Sequence, residues 1–193
     1  MAGYLIGSIP IGVLVGRAFG FDPRAVGSGN VGMTNVARAG GKVPAAITFI
    51  GDTLKGLLPV AMARAAALGP GGLAVVAFAA FLGSIASIFL HFTGGRGVAT
   101  SLGLWVVLAP VAVAIAAAAF LGVIALSRIV SLASIAAAIV LVPAVAAVGC
   151  PRQYILLAIA VSGLVLLRHR ANVERLMAGE EPRIGERKPR SEG

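Results

Sequence analysis

Three polar, glycine- or arginine-containing segments interrupt an otherwise apolar chain, and each sets arginine beside small hydrogen-bonding residues. The first is Gly27-Ser28-Gly29-Asn30-Val31-Gly32-Met33-Thr34-Asn35-Val36-Ala37-Arg38; the second is Thr93-Gly94-Gly95-Arg96-Gly97-Val98-Ala99-Thr100; the third is Arg168-His169-Arg170-Ala171-Asn172. Glycines let successive backbone N–H groups converge on an anion, and in the first segment Ser28, Asn30, Thr34 and Asn35 add side-chain partners. A helix continuing from about Val31 puts Arg38 one turn beyond Thr34 and three residues beyond Asn35, near the same face. That arrangement reads as a phosphate cradle; a glycine loop taken alone reads equally as a tight turn between spans, and two glycine–arginine loops on one face favour the cradle. In the second segment Gly94, Gly95, Arg96 and Gly97 open an apolar helix, whose exposed N–H groups and dipole favour an anion, and Arg96 supplies a guanidinium fork to grip it. The spacing Gly27-x-Gly29-x-x-Gly32 with Asp52 beyond it copies a dinucleotide fingerprint, but that fingerprint needs a short buried strand directly before the glycines. A long apolar run stands there instead, and the chain has no GxxxxGK[ST] phosphate loop.

Other groups are candidates for acid–base or supporting roles. His169 and Asn172 lie three apart, so they share a helix face where the last apolar stretch ends. Ser131 and Ser134 form a fourth small polar element after Arg128. Asp52 and Lys55 are also three apart, and pairing lowers the cost of placing either within a bilayer; the pair reads equally as a brace or as a direct contact. His91, in apolar surroundings, reads as a packing or interfacial residue. Cys150 is the single cysteine, which excludes an intramolecular disulfide and a cysteine-based metal site. With only seven Asp and Glu in the chain, no metal and no cofactor are expected.

The elements that must position these groups are membrane helices. The chain is 59% hydrophobic and 12% charged over 193 residues, against roughly 25% charged in soluble proteins. Its net charge of +9 is scattered between apolar runs without a stacking platform of aromatics, so nucleic acid is not expected as a partner. A breaker at Gly69-Pro70-Gly71-Gly72 divides one long apolar stretch, and the stretch holding Pro110 is either one overlong kinked helix or two short ones. Only two crossings there sort the basic residues to one face, which gives seven spans at about 2–18, 44–67, 73–92, 97–109, 111–127, 130–148 and 152–168. The first lacks a basic n-region and reads as a retained span rather than a cleaved signal. With seven crossings, thirteen of the 16 Lys and Arg fall on one face, Arg64 and Arg152 on the other, and Lys55 inside a span. The positive-inside rule then puts the N-terminus out and the C-terminus in. The expected fold is an all-α integral membrane protein, a compact bundle of seven transmembrane helices, some short or broken. Residues 1–179 make a single transmembrane domain and 180–193 a disordered charged cytoplasmic tail.

Gly7-Ser8-Ile9-Pro10-x-Gly12, the long glycine segment from Gly27 to Arg38, Gly51-Asp52-x-x-Lys55-Gly56, Gly94-Gly95-x-Gly97-Val98-Ala99-Thr100, Ser131-x-x-Ser134 and His169-Arg170-x-Asn172 occur here in order. In these motifs the chain resembles the bacterial acyl-phosphate-dependent glycerol-3-phosphate acyltransferases, the PlsY family, to about Ile184. The resemblance implies a seven-span fold in the bacterial inner membrane, with the active site at the cytoplasmic face. It implies acyl phosphate as donor, glycerol 3-phosphate as acceptor and lysophosphatidic acid with phosphate as products, among membrane lipids. By that resemblance Ser28, Arg38, Ser134, His169 and Asn172 match positions that bind substrate or support catalysis. The candidate set is then His169, Asn172 and Ser134 as catalytic, with Ser28, Asn30, Thr34, Asn35, Arg38, Lys55, Gly94, Gly95, Arg96 and Gly97 binding substrate. Two residues depart from the family pattern: Arg96 stands where it has lysine, and Ser84, after Gly83, where it has histidine. The alternatives are a weak or inactive paralogue, or a small transporter or phospholipid-binding protein using the glycine loops as hinges. A transporter predicts internal repeats, and the two halves of the chain show no convincing similarity.

Overall fold

A computed structural model describes residues 1–185. Ten α-helices follow one another among them: α1 Ala2–Ser8, α2 Ile11–Ala18, α3 Met33–Gly40, α4 Lys42–Ala65, α5 Pro70–Ile85, α6 Val98–Leu108, α7 Pro110–Ser127, α8 Val130–Ala147, α9 Arg152–Arg168 and α10 Arg170–Met177. By length and composition α4, α7 and α8 can each cross a membrane, and α9 with α10 forms an apolar pair bent by 55°. Shorter apolar helices occupy Ala2–Ala18 (α1 with α2), Pro70–Ile85 and Val98–Leu108. Each of the seven expected apolar stretches contains at least one helix, though those at about 2–18 and 73–92 are not helical throughout.

Prolines set several boundaries. Pro10 lacks an N–H, so the first stretch breaks into α1 and α2 rather than running as one helix. Pro110 starts α7 as its first residue, and Ala109 ends α6 and begins α7, so the apolar run from 97 to 127 folds as two helices. The stretch expected to continue to 92 stops at Ile85. Residues beyond it form a tight turn, in which Ser87 N–H donates to Thr93 O at 2.9 Å around the short 3₁₀ turn Ile88–Leu90. This turn, with His91 and Phe92 in the left-handed region, leads directly into the second glycine segment.

The helices pack mainly as α4 on α6, α7 on α8 and α1 on α5. At the α4–α6 crossing a methyl group on Gly56 would collide with Thr100 O, and one on Gly103 would collide with Thr53 O. Each helix thus offers a glycine to the other's backbone, the close approach that small residues permit in membrane bundles. Trp105, Phe81, Leu104, Val60, Val145 and Val161 fill the interior.

The charged tail departs from expectation where it begins. Glu180 N–H donates to Arg175 O and Ile184 N–H to Arg128 O, both at 2.8 Å, and the Glu181 side chain is 6% exposed. Residues 180–185 therefore form an ordered strap from α10 to the α7–α8 turn, because side chains on α8 and α10 provide hydrogen-bond donors that composition alone does not reveal. The rest of the expected tail, 186–193, lies outside the described residues.

Candidate functional site

The first glycine segment is shaped by its own polar residues. Asp22 caps a short 3₁₀ turn by accepting from Arg24 N–H at 2.9 Å. Asn35, on α3 and 2% exposed, donates through Nδ2 to Pro23 O at 2.7 Å and Val26 O at 3.0 Å, and its Oδ1 accepts from Ser28 N–H at 3.1 Å. Asn30 Oδ1 accepts from Gly32 N–H at 2.8 Å. Gly27 has φ +59°, and a β-carbon there would lie 2.6 Å from Asn35 Oδ1, so only glycine fits. Asn35 is thus the post on which the loop is hung. The side chains of Ser28, Thr34 and Arg38 make no hydrogen bond among the described residues.

The second segment is fixed from both sides. Gly95 N–H donates to Ser84 O at 3.1 Å, so this N–H is not available to an anion as the sequence reading supposed. The Arg168 guanidinium donates to Gly94 O at 2.8 Å and Gly95 O at 3.2 Å. Gly97, at φ +76°, turns the chain into α6, whose first-turn N–H groups supply the anion-attracting end. Arg96 is half-buried and has no hydrogen-bond partner among the described residues.

His169 sits at the bend between α9 and α10, 1% exposed. Its Nδ1 lies 2.8 Å from Val165 O; a carbonyl only accepts, so Nδ1 carries the proton and Nε2 is the basic nitrogen of the neutral ring. Burial pushes its pKa below the ordinary value of 6.5. Asn172, one turn on, donates through Nδ2 to Glu181 Oε1 at 2.5 Å. Ser131 Oγ donates to the same oxygen at 2.7 Å, and Arg175 Nε to Glu181 Oε2 at 2.7 Å. Burial alone would raise the Glu181 pKa, but the hydrogen bonds from Ser131, Asn172 and Arg175 outweigh it and hold the carboxyl below its usual range. Ser134 Oγ donates back to Val130 O at 2.9 Å within α8.

Lys55 and Asp52 pair at 3.0 Å inside α4. The Lys55 ammonium also donates to Ile9 O at 2.9 Å, at the break between α1 and α2, so one of its three N–H bonds is left for the cavity.

All these segments converge on one cavity of about 740 Å³. Its wall includes Ser28, Asn30, Thr34, Asn35 and Arg38 from the first segment, Gly94, Gly95, Arg96 and Gly97 from the second, and Lys55, Ser134, His169 and Asn172 from three further helices or bends. Every candidate residue is therefore brought to one place. His91 and Cys150 do not line it: His91 is on the exposed turn after α5, and Cys150 follows α8 against the core periphery. Glu181 and Arg175 do line it and were missed in the sequence, where they belong to a charged terminal stretch; the only hint was acids placed among arginines. The cavity presents arginines and two helix N-termini for anions, a buried neutral imidazole for a proton, and a bend where helices leave the apolar bundle.

Residues 1–179 match the protein family described as glycerol-3-phosphate acyltransferase. A curated protein of that name from Rubrobacter xylanophilus is 47% identical over 188 residues, covering 97% of this chain and 94% of the relative. One from Geobacter sulfurreducens is 44% identical over 181 residues, covering 94% and 93%. Among solved structures, the crystal structure of PlsY (YgiH), an integral membrane glycerol 3-phosphate acyltransferase, is similar in its glycerol 3-phosphate form, with a TM-score of 0.91 and 39% identity over 95% of this chain and 92% of that one. Its lysophosphatidic acid form gives a TM-score of 0.89 and 38% identity over the same shares.

Proposed function

The chain belongs to the glycerol-3-phosphate acyltransferase family of integral membrane proteins, and from that premise we propose that it moves a fatty acyl group from acyl phosphate to the 1-hydroxyl of glycerol 3-phosphate. The products are lysophosphatidic acid and inorganic phosphate, in the first step of phospholipid synthesis. The observation that carries this reading is the meeting of two cationic glycine cradles and the His169–Asn172 bend in one cavity. Both substrates carry phosphate, so two cradles are what the reaction needs.

Arg38, Ser28 and Thr34 grip the phosphate of the acceptor at the α3 N-terminus. Arg96 and the first turn of α6 hold the phosphate of the donor. The acceptor's hydroxyl oxygen bonds to the acyl carbon as its proton passes to Nε2 of His169. The bond from that carbon to the phosphate oxygen then breaks, and phosphate leaves with the electron pair. Phosphate is a good leaving group, so orientation and electrostatic stabilisation supply most of the catalysis, and no acyl-enzyme is required. Ser134 and Asn172 line the same cavity as His169 and supply polar groups beside the reacting hydroxyl.

The protein crosses the bacterial inner membrane seven times, with the N-terminus outside and the cavity opening at the cytoplasmic face. Single-sided placement of the basic residues supports this orientation. Ser84 is compatible with activity, because its backbone carbonyl secures Gly95 while its hydroxyl bonds within α5 to Phe81 O at 2.7 Å. The test is purified, lipid-reconstituted protein given palmitoyl phosphate and radiolabelled glycerol 3-phosphate, with palmitoyl-CoA in a parallel reaction. Labelled lysophosphatidate is expected from the acyl phosphate alone; a folded protein that binds both substrates and forms none would refute the assignment.

A further inference from the structure

The two polar ends of Asn172 are in different situations. Its nitrogen is bonded to Glu181, whereas its Oδ1 is buried without a hydrogen-bond partner among the described residues. A buried, unpartnered carbonyl oxygen is uncommon in folded proteins. It is tolerable where a ligand supplies the missing donor, and Asn172 lines the reaction cavity.

Glu181 dictates which end faces which way. Its side chain is 6% exposed, and it meets three donors: Ser131 Oγ, Asn172 Nδ2 and Arg175 Nε. A carboxylate accepts and does not donate. Turning the Asn172 amide over would therefore set two acceptors against each other. The strap is held on both sides of Glu181, by Glu180 N–H on Arg175 O and by Ile184 N–H on Arg128 O, so the carboxylate cannot withdraw without breaking backbone bonds.

We infer that Glu181 is a positioning residue: it locks the Asn172 amide so that Oδ1 is offered to the cavity as the acceptor for a hydroxyl of glycerol 3-phosphate. The inference rests on the acyltransferase reading and deepens it. Asn172 contacts the substrate, and Glu181 acts only through Asn172.

Hydrogen-bond polarity supplies a test that a merely structural contact would not answer. In Glu181→Gln every bond, including that from Arg175, survives only if the Asn172 amide turns over and puts its NH₂ into the cavity. In Asn172→Asp an acceptor still faces the cavity, but a second carboxylate confronts Glu181. In the double variant Glu181→Gln, Asn172→Asp, the glutamine NH₂ donates to the aspartate and to Ser131, its oxygen accepts from Arg175, and an acceptor again faces the cavity with the summed charge unchanged.

The four proteins are reconstituted in lipid and assayed with palmitoyl phosphate for kcat and for KM of glycerol 3-phosphate, with thermal unfolding as the check on folding. Each single variant is expected to lose about 100-fold in kcat/KM for the acceptor, the scale of a misdirected transition-state contact. The double variant is expected to return to within about tenfold of wild type, a coupling that two independent sites do not show. Wild-type kinetics in Glu181→Gln would overturn the inference, as would a folded double variant no faster than the slower single one. A double variant that fails to fold would overturn it too, since the swap is designed to keep every bond. Failure of the acyltransferase reading appears separately, as absence of lysophosphatidate from the wild-type protein before any variant is compared.

Discussion

Arg168, in the last turn of α9, donates to the carbonyl oxygen of Gly94 at 2.8 Å across 74 positions of the chain. The same guanidinium reaches Gly95 O, so one arginine fastens the second cradle to the helix that ends at His169. Arg168→Ala should loosen the loop and misplace Arg96 without removing any anion contact. The loss of a charge-assisted pair is worth about 1.5–3 kcal/mol, so the KM for acyl phosphate should rise roughly tenfold or more, while the KM for glycerol 3-phosphate changes less. Arg168→Lys should recover part of it, a point charge being unable to reach both carbonyls as a fork does. Equal changes in both KM values would show that Arg168 does not serve this cradle.

Arg38 lines the same cavity from α3 and makes no hydrogen bond to the described residues, as expected of a group reserved for a ligand. Arg38→Ala should weaken acceptor use by about 1.5–3 kcal/mol, roughly 10- to 150-fold in kcat/KM, with unfolding temperature unchanged. Arg38→Lys should fall between the two proteins. Unaltered acceptor kinetics in a well-folded Arg38→Ala protein would remove Arg38 from the site.

Much of this was legible in the sequence, and the physical reasons separate what was from what was not. Long apolar runs and their prolines mark α4 and α7 to α9 because the bilayer leaves no other way to satisfy the backbone. The glycine segments are legible because positive φ and close approach demand glycine, as at Gly27. The assignment of duties within a segment is not: Asn30, Thr34 and Asn35 look equivalent on paper, yet Asn35 is engaged with Pro23, Val26 and Ser28. Glu181 was hidden for a related reason. A charged, proline-containing tail reads as disordered, and only three donors brought from α8 and α10 make burial of that carboxylate favourable. The early end of α5 at Ile85 was likewise set by the Ser87–Thr93 bridge, a contact that hydropathy does not register.

In the proposed mechanism His169 is the proton acceptor, and its burial gives the reaction a pH dependence whose sign can be worked out. The working form is the neutral ring, and burial puts its pKa below 6.5, so activity should be level near neutrality and fall as the pH drops through that lowered value. His169→Gln should abolish this acid limb and lower kcat by about 10²–10⁴-fold, the usual worth of a general base. A limb centred above 6.5, or one that survives in His169→Gln, would assign the titration to another group.

The proposed orientation places Cys150, in the turn between α8 and α9, on the face opposite Arg96. A membrane-impermeant maleimide should label it from outside intact cells or spheroplasts, with labelling after permeabilisation as the measure of its accessibility. Labelling only after permeabilisation would invert the topology.

By the resemblance drawn from the sequence, Ser84 and Arg96 are where this chain departs from the family pattern, and the structure separates backbone duties from side-chain duties at Ser84. The carbonyl of Ser84 secures Gly95 N–H whatever side chain the residue carries, while its hydroxyl is bonded within α5. The wild-type protein should therefore turn over, and Ser84→Ala should change kcat/KM by less than about tenfold, because only a neutral intrahelical hydrogen bond is lost. Ser84→His, which introduces an imidazole into the cavity wall beside the second cradle, should alter an existing rate rather than create one. Arg96→Lys keeps the charge but loses the fork, so it should raise the KM for acyl phosphate more than it lowers kcat. An inactive wild type whose Ser84→His, Arg96→Lys double variant turns over would show instead that the imidazole is indispensable and that the natural chain retains only substrate binding.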